Sequence, residues 1–574
     1  MNYFFCLLAT VVIEGVLLAV APVAAQPLTF DRATTCASGD GDGGWGPSKL
    51  VVDTQGNTYV AGRFSGTIVL GSALLTATQT YAGNTIPSDN FVAKLDPAGN
   101  YLWAVQLGDN QSAVVSGLAV DAAGDVYLTG SFRSYSLRVG AAGPQLFNSS
   151  ASGEGFVAKL SGTTGQTLWA RRIGGTGHDS LGAIIINQDC DIYSLGSSGS
   201  PVADVGLFTL ANPQSFLAKL SPAGTWLWAR RIGSGPIGAG FLLLDRQGDL
   251  YVAGAFVGPS VTLGATTLTA QGVPGSPSPI TGSDLFVGRV TDAGTWLWAV
   301  QGDAVTGQNI ISLSGLAADG AGHLYVAGSY ASTSARIGAT VLPNLSNQYP
   351  QPNPLPPTPY TNNYYTDAFV ARLNTATGAW EWAVRNGGPY FENASTPVVD
   401  SNGALYVLGS FNSATLTGTG QHLAQLNAAT GAWGPIRSLA PVFARDMVLD
   451  GQRRLNLGGT FSSATATLGS FTLAQNGPGQ ATGFLARLAA LPLTSRPTLP
   501  RLAGLEVWPN PVAGRAVQVQ GPPPGESVQV FDVLGRVVAT GRMPASGALH
   551  LSLALPTGVY VVRAGGQARR LVVE

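Results

Sequence analysis

Seven times along the chain an apolar stretch enters a turn and leaves as a second apolar stretch with one spacing, Asp-x-x-Gly-x-x-Tyr-x-x-Gly. Clear copies begin at Asp53, Asp121, Asp245, Asp319 and Asp400, and degenerate ones at Asn187 and Asp450. A second pattern, Phe-Val-Ala-Lys-Leu, follows in each unit, beginning at Phe91, Phe156, Phe216, Phe286, Phe369, His422 and Phe484. A third places Trp just after a glycine-containing turn, at Trp103, Trp169, Trp228, Trp298, Trp382 and Trp433. Self-similarity at this period means repeated supersecondary units, not one large core. Aspartate at a turn start can bond its own backbone, and glycine supplies positive φ. Each unit therefore reads as four short antiparallel strands, which is the pattern of a propeller blade.

The expected fold is all-β: a seven-bladed β-propeller of four-stranded antiparallel blades, followed by a small β-sandwich. The Trp pattern occurs six times, not seven, so the last unit lacks its fourth strand. Pro27 to Cys36 stands where a fourth strand would precede the first unit. It is expected to pair into the last blade and close the ring, leaving no gap between the chain ends. The Trp residues read as core filling the wedge between blades. Trp226 with Trp228, and Trp296 with Trp298, lie at spacing two and would share one strand face. Trp228→Ala would then cost about 3–5 kcal/mol.

The repeats, over roughly residues 49–488, resemble the SBBP-type β-propeller repeats of bacterial surface proteins. That resemblance speaks to fold and leaves function open.

After the repeats comes a Pro-containing stretch (489–504), then Leu505–Val512, Val528–Val538 and Leu555–Arg563. Alternating apolar residues separated by Pro-Asn-Pro, Leu-Gly-Arg and Pro-Thr-Gly turns read as a small antiparallel sandwich over 505–574. This stretch resembles the type A C-terminal sorting domain of the type IX secretion system. The matching positions are Pro509, Asn510, Pro511, Leu534, Gly535, Arg536, Gly558 and Tyr560. The resemblance implies the type IX machinery as a partner, passage across the outer membrane, and release or attachment to surface lipopolysaccharide. Residues 1–25 fit the matching export step. An apolar run ends in Val23-Ala24-Ala25, a small-residue pattern typical of signal peptides. No later segment is apolar enough to span a bilayer. The domain reading is thus a signal peptide (1–25), a propeller (27–488), a linker (489–504) and a sorting sandwich (505–574), in a secreted or outer-membrane surface-attached protein.

Charged residues make up 11% of the chain and the formal net charge is −1, which excludes the basic footprint of a nucleic-acid binder. The four histidines (His178, His323, His422, His550) show no metal-ligand spacing. His178-Asp179 lies in a connector between blades, where a proton-transfer pair is weighed against a polar surface turn. Asp40 and Asp42 in Ser38–Gly44 invite a calcium reading, yet supply few oxygens. No cofactor is expected. Cys36 and Cys190 could form one bridge after export.

Unit spacing varies from 50 to 81 residues, mostly between the second and third strands. Those loops and the fourth-to-first connectors open on one side of the disc, the usual place for recognition. Glycines at 71, 140, 206, 264, 338 and 469 mark an extra short strand or turn in these loops. The largest insert, Leu342 to Asp367, carries Tyr349, Tyr360, Tyr364 and Tyr365 as candidate ligand contacts. The innermost strands are apolar or small, Asp446 being the main exception. The function these features favour is a non-enzymatic binding or scaffold module for a glycan or protein. The alternative is an extracellular hydrolase or lyase with a loop-built site.

Overall fold

The computed structural model describes residues 28–489 and 506–573. Excepted are 37–45, 79–87, 109–112, 141, 150–151, 246–247, 271–282, 306–309, 346–365, 389–390, 412–419 and 476–480. In the C-terminal part 509–515, 521–524, 533–535, 545–547, 553–554 and 565–566 are also outside the description. The chain divides into two compact units between Ala490 and Leu491.

Among the described residues of the first unit, seven antiparallel sheets form the blades, five of four strands and two extended to six by a paired ribbon. We number the blades 1 to 7 and letter their strands a to d from the innermost outward. Blade 1 is Pro47–Val52, Thr58–Ser65, Ser88–Leu95 and Tyr101–Leu107. The same order repeats in blades 2 to 6, whose a strands begin at Ala113, Asp179, Ile237, Ile311 and Asn393. Blade 7 takes strands a to c from Phe443–Leu449, Leu455–Phe461 and Thr482–Leu488. Its strand d is Phe30–Cys36, in antiparallel register with Ala33 opposite Ala486. Each a strand touches the next around the ring, and that of blade 7 touches that of blade 1. The ring is closed, and Phe30–Cys36 supplies its last strand.

Two of the repeat motifs are one packing device. The last glycine of Asp-x-x-Gly-x-x-Tyr-x-x-Gly lies in strand b, where strand a and a strand c ring crowd it. A Cβ on Gly130 would stand 1.9 Å from Val114 O and 2.7 Å from Phe156 Cε1. Gly254, Gly328 and Gly459 face the same backbone approach, each 2.0 Å from a strand a carbonyl. Blade 6 has His422 in place of the strand c Phe. There the ring against Gly409 is that of Phe411, at 2.5 Å from the would-be Cβ. His422 itself is buried, which lowers its pKa despite a backbone bond at Gly420.

The motif's first residue makes the turn. Asp121 Oδ1 accepts from the amides of Ala123 and Asp125, and Tyr127 Oη donates to Asp121 Oδ2 at 2.9 Å. Lys159 of strand c pairs with Asp121 and Asp125 and lies 4.9 Å from the Tyr127 ring centre. Burial pushes the Tyr127 phenol up to about 12, so it stays a donor. In the two degenerate copies the glycine's positive φ falls on Cys190 (62°) and Arg453 (63°).

The tryptophans correct the expected picture in two ways. Every complete blade has a bulge in strand d. In blade 3, Lys219 pairs with Trp228 but Leu220 pairs with Trp226, so Leu227 is extra. Consecutive partners alternate faces, hence Trp226 and Trp228 lie on opposite faces, not on one. One Trp reaches the preceding blade and the other the following one. Trp296 Nε1 donates back to Ile232 O at 3.0 Å, whereas Trp298 Nε1 donates forward to Thr375 O at 3.1 Å. The indoles are also mostly half-buried, not full core. Trp228→Ala is therefore expected to cost ~2–3 kcal/mol, less than full burial would give. Urea unfolding of the variant measures it, and a loss below 1 kcal/mol would remove the staple role.

The glycine-marked loop elements are two-stranded ribbons, such as Val202–Val205 with Phe208–Ala211. Gly71, Gly140, Gly206, Gly264, Gly338 and Gly469 all take φ between 60° and 73°. A ribbon also pairs with strand d of the blade before it, as Gly174 with Asp204 and Gly302 with Ile337.

The second unit is a β-sandwich of a three-stranded sheet and a four-stranded sheet. The first contains Glu506–Trp508, Ala516–Gln520 and Ala548–Ser552. The second orders Val537–Arg542, Ser527–Phe531, Gly558–Ala564 and Gln567–Val573. Val519, Val528, Val530, Val562 and Leu571 are its fully buried core.

Candidate functional site

The a strands carry a second set of bulges, facing the channel. Register skips Ser48, Ser116, Gly240, Ser314 and Arg445 in blades 1, 2, 4, 5 and 7. Blade 3 skips Gly182 and Ala183, and blade 6 skips Thr396 and Pro397. A bulge leaves its extra residue outside the ladder and re-aims the side chain. Six blades place small or ring-closed side chains there. Blade 7 alone places a guanidinium.

These skipped residues lie near the channel mouth on the side where the b–c loops and d–a connectors open. A cleft of ≈ 490 Å³ occupies that mouth. Its described lining includes Ser48, Lys49, Arg63, Asn90, Val114, Asn393, Ser395, Gln421, Phe443 and Arg445. Several of these side chains are committed to holding the walls. Asn90 Nδ2 donates to Ala113 O at 2.7 Å, joining blade 1 to blade 2. Gln421 does the same from blade 6 to blade 7, donating to Ala444 O at 2.7 Å and accepting from Ala444 N at 2.6 Å. Arg63 donates to Ser88 Oγ. Lys49 and Arg445 have no carboxylate within ion-pair range among the described residues, and Phe443 is 51% exposed.

Lys49 and Asp446 occupy matching positions, one residue past the bulges of adjacent blades 1 and 7. Asp446 crosses the ring seam. Its carboxylate accepts from Leu50 N at 2.8 Å and from Met447 N at 2.9 Å. Burial pushes this carboxyl above its ordinary value, and Lys49 and the two amides offset only part of that. The folded chain then holds the proton more tightly than the unfolded chain. That contribution to stability is full below the unfolded value and is lost as pH rises through the folded one. Asp446→Asn is expected to remove the loss, gaining stability relative to the wild chain as pH rises through and above the ordinary carboxylate range. Urea unfolding across that range measures it, and parallel profiles would refute it.

Tyr349, Tyr360, Tyr364 and Tyr365 lie outside the described residues, as do Asp40 and Asp42. So do Pro509, Asn510, Pro511, Leu534 and Gly535. Of the remaining motif residues, Arg536 closes a turn, donating from Nε to Asp532 Oδ2 at 2.7 Å and from its amide to Oδ1. Gly558 begins a strand, and Tyr560 is buried with its hydroxyl donating to Pro556 O at 2.9 Å. His178 and Asp179 do not form a proton-transfer pair. Asp179 is buried, its pKa raised by that burial, and it accepts from the Ser198 and Ser200 hydroxyls. Cys36 and Cys190 are both free thiols, one in blade 7 and the other in the turn of blade 3. Among the described residues no helix is long and apolar enough to cross a membrane, and no three His, Cys, Asp or Glu side chains gather as a metal site.

Sequence reading missed Arg445 and Lys49. Their signal was present, since both are charges in strands that are otherwise apolar or small. The bulge that aims Arg445 leaves no mark in the spacing.

No protein-family profile matches the chain, and no curated protein does. Among solved structures, the chain is similar to a quinohemoprotein alcohol dehydrogenase from Comamonas testosteroni. Identity is 11% and the TM-score 0.37, over 80% of this chain and 76% of that one. It is also similar to the Pan2 WD40 domain of Neurospora crassa, with 9% identity and TM-score 0.37 over 77% and 89% of the chains. The WD40 β-propeller domain of Doa1 gives 6% and 0.37 over 80% and 96%. These likenesses carry no substrate or partner to this chain. By its own sheet topology the chain is a closed β-propeller followed by a β-sandwich.

Proposed function

We propose that this chain is a secreted or surface-attached binding module whose ligand enters the channel mouth on the loop face. The observation that carries the reading is the cleft lining. Three cations, several amides and hydroxyls and an exposed phenyl ring converge on a rigid frame, the arrangement that holds a polar ligand in place. The walls are stitched blade to blade through Asn90 and Gln421, so the site is preorganised and binding need not order it. Glycan-array binding by the full chain tests this. Binding is expected, and is expected to be lost in Ser48→Trp, which fills the mouth. Binding that survives Ser48→Trp would move the site elsewhere, and turnover of a bound glycan would favour the hydrolase or lyase reading.

The export route is part of the same proposal. It rests on the motif residues at 509–511, 534–536, 558 and 560, and on the signal-like residues 1–25. Deleting Leu505–Glu574 is expected to leave the protein in the periplasm, read by cell fractionation. Normal appearance outside the cell would refute the sorting role.

A further inference from the structure

The channel mouth is nearly uniform around the ring except at the seam, where one bulge residue is Arg445 and a neighbouring inner-strand residue is Lys49. A guanidinium at a position that elsewhere holds Ser, Gly, Ala, Thr or Pro is not required by the fold. It stabilises nothing visible, having no carboxylate in ion-pair range among the described residues, and it costs the ordering of a long side chain. Resting on the reading that the mouth is the binding place, we infer that Arg445 and Lys49 receive the anionic group of an acidic glycan.

Five features of the cleft support this. Arg445 offers a planar fork matched to carboxylate or sulfate, and Lys49 adds a point charge in the same cleft. Asp446 is engaged by the amides of Leu50 and Met447 and acts on Lys49 through space without an ion pair, so among the described residues neither cation is closed off by a paired carboxylate. Phe443 precedes Arg445 by two residues, lines the same cleft and is half exposed. A phenyl face there stacks on the apolar face of a sugar ring. Asn393 and Ser395 bring an amide and a hydroxyl from blade 6; Asn393 Oδ1 accepts from Ser410 N and Ser395 Oγ donates to Leu408 O, which leaves the Asn393 Nδ2 donor and the Ser395 Oγ lone pairs for sugar hydroxyls. A volume of ≈ 490 Å³ lies within the range of small-ligand sites, about 300–1,000 Å³. The acidic group comes from either of two sources, a uronate carboxylate or a sulfate ester, and both present the same oxyanion.

Isothermal titration of the full chain tests the inference with trigalacturonate, its methyl ester, a sulfated chondroitin disaccharide and a glutamate tripeptide. One of the two acidic sugars is expected to bind, and the methyl ester at least ~10-fold more weakly than the free acid if that acid is the uronate. Affinity should fall with added salt. Arg445→Ser introduces the residue that blades 1, 2 and 5 already carry there, so the fold tolerates it. It is expected to lose at least ~10-fold in affinity with an unchanged unfolding midpoint. Lys49→Met, which keeps the stem, is the second variant, and a smaller loss is expected. Binding by the uronate identifies a carboxylate source, and binding by the disaccharide that is lost in its unsulfated form identifies a sulfate source. The inference is overturned if neither acidic sugar binds, if both variants bind as the wild chain does, or if the peptide binds as well as the sugar. Neutral glycans that bind and are blocked by Ser48→Trp while ignoring Arg445→Ser would sink this inference alone. Absence of all binding would sink the reading beneath it as well.

Discussion

A chain lacking Phe30–Cys36 is expected to lose at least ~4 kcal/mol of propeller stability and to unfold with reduced cooperativity. Phe30 and Cys36 are buried in blade 7, and burying the phenyl ring alone contributes ~2–3 kcal/mol. Removing the strand also leaves Thr482–Leu488 as an unpaired edge. The strand does more than complete its own blade. Asp31 pairs with Arg487 at 2.7 Å, while Arg487 and Arg32 both donate to Pro97 O in the turn of blade 1. Without these contacts the seam between blades 7 and 1 rests on the inner strands. Urea unfolding followed by tryptophan fluorescence reads the loss, because the indoles sit between blades. A synthetic peptide spanning residues 27–37 should restore the midpoint when added to the truncated chain. An unchanged midpoint after truncation would show that the strand is dispensable.

Gly130→Ala is expected to destabilise the propeller by ~3 kcal/mol or more. The added methyl would sit 1.9 Å from a carbonyl oxygen of strand a and 2.7 Å from the Phe156 ring. Neither neighbour is the free end of a flexible side chain. Strand a is held in register on one side, and Phe156 is fully buried. Relief requires the two strands to separate, which breaks ladder bonds in the most buried part of the blade. Gly240→Ala is the control. It has nothing within 4 Å of its would-be Cβ, so its effect should stay within about 1 kcal/mol. Equal effects at the two positions would mean that the close approach does not explain the motif's final glycine.

Much of the fold was legible because each blade repeats the same local problem. An aspartate and a glycine make five of the seven turns, a glycine admits a ring, and a missing Trp strand at one end matches a spare segment at the other. His422 shows how far that legibility goes. The sequence shows a histidine where the other units have Phe, but only packing reveals that Phe411 fills the vacated place. The tryptophan pairs show where it stops. Spacing of two implies one face, and a single extra residue in strand d reverses that.

The site was legible only in outline. Counting strands correctly put the variable loops and connectors on one side of the disc. It directed attention to the tyrosines of the long insert and not to the channel mouth. Lys49, Phe443 and Arg445 come from units almost four hundred residues apart in sequence, and ring closure makes them neighbours.

The order of residues alone determined that the chain makes seven similar sheets, because turn chemistry and alternation act over a few residues at a time. Tertiary structure alone decided which side chains meet at the seam and which way Arg445 points. Those depend on bulges and on closure of the ring, both of which arise from contacts between strands that no local spacing records.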